Sequence, residues 1–399
     1  MRILLLSDAP MALQAGGIGQ TLYNIFSFVP PAHFMAIAPV EELLTYPPSE
    51  PYKDRYVSYK SRYLDVPRNR VGKFLTPFVN WINLSVAQLR MHKKIRKAIE
   101  QFAPDIIISC PNSVIGVLMH QKLLSEKEVK IPIVPYFMDD WMYNRKDKWI
   151  GANLQRSVGR MLRDNKNWMM ISKELDELLR ERYDLQPSSV LYIRNPVDIS
   201  NAPEDTIYTK GSSFEIAYAG ALWEMHYDSF YAVAKAVRLL QDSGIAVKLV
   251  LYSAENFWSW RKSELEILGV EYRGHIQYSD VHKTLHKADA LLLTSSFSTT
   301  VYTHSKASLQ TKITDYCKAK RLIVSCGPDY SANHKFLKQH ECGVCIETND
   351  PAGIAKELEV VISDIEKYQQ LVVNGWNVLK SDFSKDIIHR RTQDFLQKA

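Results

Sequence analysis

Ser308, Lys312, Asp315 and Tyr316 form the densest group of chemically capable side chains in this chain. They stand in the run Ser308-Leu309-Gln310-Thr311-Lys312-Ile313-Thr314-Asp315-Tyr316, which reads as the first two turns of a helix over Ser308–Lys318. At helical spacing Ser308, Lys312 and Tyr316 are four apart and Asp315 lies three beyond Lys312, so all share one face. Free backbone N–H groups at a helix start attract phosphate. A lysine adds a full charge, and a carboxylate lower down accepts hydrogen bonds from sugar hydroxyls. The same spacing also describes an ordinary amphipathic helix with a solvated polar face.

Two further groups could act on a ligand. Gly16-Gly17-Ile18-Gly19 follows a short apolar strand, Arg2–Ser7, and leads into a helical pattern through Phe28. A glycine-rich strand-to-helix turn lets a ligand approach the backbone. Asp139 and Asp140 leave the apolar run Ile133–Phe137. A carboxylate there would orient a hydroxyl or take its proton. Its bland role is to cap the next helix or to pair with Arg145 or Lys146. Adjacent residues leaving a strand point in different directions, so at most one of the two is expected to face a ligand. Paired carboxylates also hold divalent ions, but the eleven histidines form no ligand motif and no metal or other cofactor is expected. Cys342-Gly343-Val344-Cys345 has no second cysteine pair to complete a metal or disulfide framework. Five scattered cysteines point to a reducing cytoplasm.

Short apolar runs must position these residues. In the C-terminal half the expected strands are Phe214–Ala219, Lys248–Tyr252, Val270–Arg273, Ala290–Ser295, Leu322–Cys326 and Val344–Glu347. They alternate with helical patterns at Tyr227–Gln241, Phe257–Leu268, Val281–Lys287, Ser308–Lys318, Ala332–Gln339 and Pro351–Asp364. In the N-terminal half strands are expected at Arg2–Ser7, Phe34–Ala38, Asp105–Ser109, Ile133–Phe137, Trp168–Ile171 and Val190–Ile193. Such alternation is the pattern of α/β domains, each a parallel sheet covered by helices on both faces. These sheets bind ligands at the carboxyl ends of their strands. A length of 399 residues accommodates two such domains, and 46% hydrophobic with 24% charged residues describes folded globular protein. The boundary is expected within Ser200–Ser213, which lacks apolar periodicity, giving domains of 1–200 and 201–378 and a terminal segment of 379–399.

The order of these motifs resembles the GT-B glycosyltransferases, and within them the GT4-like, or group 1, enzymes, over nearly the whole chain. Gly16-Gly17-Ile18-Gly19 is similar to that family's first loop. Tyr192-Ile193-Arg194-Asn195-Pro196-Val197-Asp198 resembles the segment that closes its N-terminal domain. Ala217-Tyr218-Ala219-Gly220-Ala221-Leu222-Trp223 resembles the strand and loop that open the nucleotide domain, and Tyr272-Arg273-Gly274-His275 the strand end near the base. Ser308–Tyr316 with Ala319-Lys320-Arg321-Leu322-Ile323 resembles the family's lysine-bearing helix and following strand.

The resemblance implies two Rossmann-like domains facing a central cleft. It also implies transfer of a sugar from a nucleotide sugar to a glycan, lipid-linked glycan or other hydroxyl acceptor, with retention, in cell-surface polysaccharide or glycoconjugate synthesis. Lys312 and the N–H face of Ser308 and Leu309 would hold the diphosphate, and Asp315 the ribose or donor sugar. Gly220 and Trp223 would line the donor, with Arg273, Gly274 and His275 near the base. Gly16, Gly17 and Gly19 would approach from across the cleft, and Asp139 or Asp140 would meet the acceptor. The family's last helix crosses back to the N-terminal domain, here over Asp386–Gln397. This chain departs from the pattern at Ala221, Ala307 and the Asp139 segment, where many relatives carry Arg, Glu and His respectively. Lys306, Arg273 and Arg194 are candidate helpers for the diphosphate charge. A nucleotide-sugar epimerase and a catalytically silent binding subunit are the alternatives.

Residues 1–200 hold 27 Lys and Arg against 20 Asp and Glu, while the remainder holds 23 against 24. The excess gathers between Arg68 and Lys97, among Phe74, Phe78 and Trp81, and offers a surface for an anionic membrane at the cytoplasmic face. A long helix with a solvated basic face fits the same residues. No recognition module accompanies the patch, so nucleic acid is not an expected partner. The start, Met1–Leu6, is too short an apolar run for a signal peptide, and no apolar run spans a bilayer.

Overall fold

The computed structural model describes residues 1–13, 17–61, 64, 78–79, 81–83, 85–86, 95–112, 116–118, 120–121, 131–140, 148–204 and 211–399. The chain divides into two compact units, 1–195 with 388–399, and 196–387. The division falls at Asn195, just before Pro196, and not in the polar stretch 200–213, because Val197 and Asp198 already belong to the second unit. Val197 N–H donates to Phe383 O at 2.9 Å, and Val197 bridges Ser384.

The first unit holds a seven-stranded sheet of β1 (Ile3–Ser7), β2 (Phe34–Pro39), β3 (Tyr56–Tyr59), β4 (Ile106–Cys110), β5 (Ile133–Phe137), β6 (Asn167–Met170) and β7 (Ser189–Tyr192). Their order is β3-β2-β1-β4-β5-β6-β7, and every ladder is parallel. β1 and β4 are buried along their whole length, which is why they read as unbroken apolar runs. β3 was not expected: Tyr56-Val57-Ser58-Tyr59 is a half-buried edge strand whose short polar sequence carries no clear alternation.

The second unit is a six-stranded parallel sheet of β8 (Phe214–Ala219), β9 (Val247–Tyr252), β10 (Glu271–Tyr272), β11 (Ala290–Thr294), β12 (Leu322–Cys326) and β13 (Val344–Ile346), in the order β10-β9-β8-β11-β12-β13. Helices start where local chemistry satisfies their free N–H groups. Ser172 and Ser331 cap Lys173–Tyr183 and Ala332–Gln339 through their side chains, and Asp350 with Pro351 starts Pro351–Ser363. The pattern at Phe257–Leu268 resolves into two short helices, Glu255–Trp258 and Lys262–Ile267.

The terminal helix, Lys385–Lys398, passes into the first unit at Ile388. His389 Nε2 donates to Asn24 O at 2.7 Å, and its ring lies 5.2 Å from that of Phe28. Of the expected anchors Ile387, Ile388 and Phe395, Ile388 is buried and the other two are half-buried, and Leu396 is buried as well. Among the described residues no helix is long and apolar enough to cross a membrane. The Arg68–Lys97 patch lies mostly outside the described residues. Within it, Phe78 and Trp81 are exposed and their rings stack at 6.1 Å.

Candidate donor site

Both sheets are doubly wound, and each has a point where strand order reverses: β1 beside β4, and β8 beside β11. Neighbouring connections leave such a point in opposite directions and open a crevice at the strand ends. In the second unit β8 and β11 pair only at Ile216–Ala290 and Ala217–Leu291, then diverge. Tyr316 spans the gap: its hydroxyl accepts the Ala219 N–H at 3.0 Å and donates to Leu292 O at 3.2 Å. Lys312, one turn earlier on the Lys312–Ala319 helix, therefore sits in the mouth of the crevice.

The Lys312 ammonium is shut off from water and has no hydrogen-bond partner. It lies 3.7 Å from the centroid of the Tyr218 ring and would stand 3.2 Å from a Cβ at position 220. Gly220 meets this need and also adopts a φ of +128°, a conformation that side chains resist. Burial lowers the Lys312 pKa to about 7. Burial likewise raises that of Asp315, on the same helix, to about 7, opposed by the charge of Lys318. Asp315 makes no hydrogen bond among the described residues.

Around this pair the sheet edge is fixed. His226 Nδ1 donates to Thr294 O at 3.0 Å, and Gln310 Nε2 reaches the same oxygen at 2.5 Å. Burial, and then the charge of Lys312, lower the His226 pKa to about 3, so the imidazole is neutral. Asp228 Oδ2 accepts Ser296 Oγ–H at 2.8 Å and Phe297 N–H at 3.0 Å, holding the loop after β11. Tyr218, His226, Gln310 and Asp228 were not singled out for these roles from the sequence. Tyr218 and Gln310 lay inside the two motif runs, where the spacing drew attention to their neighbours instead.

Several expected contributors stand elsewhere. Ser308 does not open the lysine helix. It ends a separate short helix, Tyr302–Ala307, and its N–H is already bonded to His304 O at 2.8 Å. Residues 308–310 form an extended link, and Leu309 is buried in the core, anchoring it. Ser308 therefore offers no free helix-start N–H. Arg273 is held by Glu215 at 3.0 Å and Glu271 at 2.8 Å, with Tyr252 Oη at 3.2 Å, so its charge is already met. Gly274 (φ +74°) turns the chain after β10 and leaves His275 exposed. Trp223 is 55% exposed at the start of the Glu224–Asp242 helix. Lys306 lies 5.8 Å from the Tyr302 ring, and Arg194, in the first unit, donates to Ile171 O at 3.2 Å.

In the first unit Gly17 (φ +46°) begins the Gly17–Phe26 helix with open space beside it, Gly19 is buried, and Gly16 lies outside the described residues. Asp140 is 0% exposed and bound through both oxygens by Arg182, each contact 2.7 Å. That is a structural ion pair, with partner Arg182 and neither Arg145 nor Lys146, and it removes Asp140 as a base. Asp139 is half-buried and accepts the Asp140 N–H at 2.8 Å. Asp8, His120 and Ser109 lie in line: Asp8 Oδ1 is 4.0 Å from His120 Nε2, and His120 Nδ1 is 2.8 Å from Ser109 Oγ. All three are buried, and burial lowers the His120 pKa to about 3, so this is an interior network and no reactive serine. Among the described residues no cluster of His, Cys, Asp and Glu could hold a metal ion.

Residues 213–364, which include this crevice, match the family model described as Glycosyl transferases group 1. No curated protein matches the chain. Solved structures resemble it throughout. Anabaena HepE in complex with UDP-glucose shares 12% identity at a TM-score of 0.68, covering 100% of both chains. Sucrose-phosphate synthase from Thermosynechococcus elongatus shares 10% at 0.70, covering 100% of this chain and 99% of that one. The lipopolysaccharide outer core galactosyltransferase WaaB, in its apo form, shares 13% at 0.65, covering 100% and 99%. At these identities the likeness is one of fold, and that fold is GT-B.

Proposed function

We propose that this protein, a glycosyltransferase of GT-B fold whose residues 213–364 form a group 1 domain, takes its sugar from a nucleotide diphosphate donor at the β8–β11 crevice. The observation that carries the reading is the Lys312 ammonium, buried and unpartnered beside Gly220. A buried charge without a partner is costly, and a diphosphate is the small, dense anion that would meet it. Asp315 would accept hydroxyls of the ribose or the sugar. Uridine is the first base to test, because HepE holds UDP-glucose.

In this reading the bond from the anomeric carbon to the β-phosphate oxygen breaks, and its electron pair leaves with the nucleoside diphosphate. The acceptor oxygen bonds to the same carbon with retained configuration, and its proton passes to the departing phosphate or to Asp139. Charge grows on the leaving oxygen as the bond stretches, so Lys312 and the backbone at Gly220 gain interaction energy in the transition state. His226 stays neutral and fixes the edge of β11. Neither metal nor other cofactor is assigned a step. A glycan or lipid-linked acceptor, and a place in surface polysaccharide synthesis on the cytoplasmic side, belong to the same proposal.

Calorimetric titration with UDP, GDP and ADP, followed by turnover of the matching nucleotide sugars, tests it. One nucleoside diphosphate should bind the wild-type protein, and Lys312→Ala should bind it more weakly while remaining folded. Equal affinities in the two proteins would remove Lys312 from the site. Binding without transfer to any hydroxyl acceptor would favour the silent reading that Ala221 and Ala307 invite, and acceptor-free conversion of the sugar would favour an epimerase.

A further inference from the structure

Beside the crevice, and outside it, the second unit carries a group of aromatic rings in which Trp223 and Trp260 are exposed and Tyr227, Tyr231 and Phe257 are partly buried beneath them. Trp223, Tyr227 and Tyr231 recur every four residues at the start of the Glu224–Asp242 helix and so lie on one face. Phe257 and Trp260, from the segment after β9, lie against them. Trp223 meets Phe257 edge to face at 4.7 Å, Tyr227 stacks on Tyr231 at 5.7 Å, and Tyr227 lies 6.3 Å from Trp260. Arg261 locks the arrangement: its guanidinium sits 3.7 Å from the Tyr227 ring and 3.9 Å from that of Trp260, and Glu264 holds it at 2.9 Å. Despite these contacts Trp223 remains 55% and Trp260 57% exposed. Large exposed rings cost free energy in water, and rings held rigidly lose little entropy when something lies on them.

We infer that this ridge binds the saccharide chain of an uncharged acceptor, pyranose rings stacking by their C–H faces on Trp223 and Trp260. Three observations favour that occupant. The ridge begins three residues after Gly220, and His226, between Trp223 and Tyr227, bonds to the edge of β11, so the ridge is continuous with the donor crevice. Its charges are mixed: Glu224, Glu255 and Glu264 accompany Lys235 and Arg261, which suits a neutral hydroxyl-rich ligand and does not match an anionic membrane. At helical rise the stretch from Trp223 to Tyr231 is about 12 Å long, more than one pyranose ring. The inference rests on the sugar-transfer reading for its ligand class.

The test uses the full chain, with tryptophan fluorescence and calorimetry against maltohexaose, cellohexaose and chitohexaose, and UDP titrated in parallel. At least one hexasaccharide should bind more tightly than its monosaccharide. Trp260→Ala and Tyr231→Ala should each weaken that binding roughly threefold to tenfold while leaving UDP affinity unchanged. Absence of binding by all three sugars, or binding untouched in both variants, overturns the inference. So does ridge-dependent binding to phosphatidylcholine–phosphatidylglycerol vesicles, or a dimer that Trp260→Ala dissolves, with no sugar effect. Failure of UDP, GDP and ADP alike to bind the wild-type chain would sink the donor reading alone, leaving the ridge to be judged by the hexasaccharides.

Discussion

The two units share a topology, and the end of β5 in the first and the β8–β11 point in the second treat charge in opposite ways. At the β1–β4 point, Asp8 Oδ2 accepts the Asn112 N–H at 2.8 Å while its buried Oδ1 makes no hydrogen bond among the described residues and lies 4.0 Å from the neutral His120, and the carboxylate fills the space that a side chain at Gly116 would need, where a Cβ would lie 2.0 Å away. Asp140, at the end of β5 in the same unit, is closed off by Arg182. At the β8–β11 point the Lys312 ammonium is buried without a hydrogen-bond partner, Asp315 on the same helix makes no hydrogen bond among the described residues, and burial pushes their pKa values in opposite directions to about 7. A charge satisfied within the fold supports the fold. A charge left unmet lowers stability, and it persists in a working protein when a ligand completes it.

The largest expected effect breaks the satisfied side. Arg182→Ala leaves the Asp140 carboxylate buried and alone, and should lower unfolding free energy by about 3–5 kcal/mol in a denaturant titration. UDP affinity of the folded protein should not change. A small loss would mean that water reaches Asp140, and the contrast would fail there.

The next effect sharpens the unmet side. Lys312→Met keeps the chain's bulk and removes the charge. UDP affinity should fall by roughly 1.5–3 kcal/mol, while the melting temperature of the free protein rises. Opposite signs in the two measurements are the signature of a group kept for binding. A lower melting temperature would show that the ammonium earns its place in the unliganded fold.

What the sequence disclosed follows from this contrast. Buried parallel strands such as β1, β11 and β12 announce themselves because both faces must be apolar. Lys312, Asp315 and Gly220 stood out because helical spacing and a strand-to-helix turn are local signals. The break between Ser308 and Lys312 was hidden, since i,i+4 spacing is equally present in two helices joined by a short link, and Leu309 dropping into the core decides it. Arg273 looked available because its partner Glu215 is 58 residues away. Arg182 is likewise 42 residues from Asp140, a separation that no local pattern reports.

The most gradual expected effect, about 1.4 kcal/mol per pH unit at most for each group, is a pH dependence with two faces. Lys312 titrates near 7 in the fold against 10.5 in an unfolded chain, so the unfolded state binds more protons between those values. Its contribution to stability therefore rises with pH from about 7 to 10.5. Asp315 titrates near 7 against 3.8, so the fold binds more protons in that window and its contribution falls as pH rises from 3.8 to about 7. Both penalties are present together only around neutrality. The melting-temperature gap between the wild type and a Lys312→Met, Asp315→Asn double variant should accordingly be widest near pH 7 and narrow on either side. Donor binding should show the counterpart. A diphosphate favours the charged lysine, so binding of UDP-glucose, whose diphosphate does not titrate here, should take up protons and weaken as pH rises above 7. Lys312→Met should abolish that slope. A gap that does not vary with pH would mean that water reaches both groups before the ligand does, and the end of β5 and the β8–β11 point would then differ in geometry but not in electrostatics.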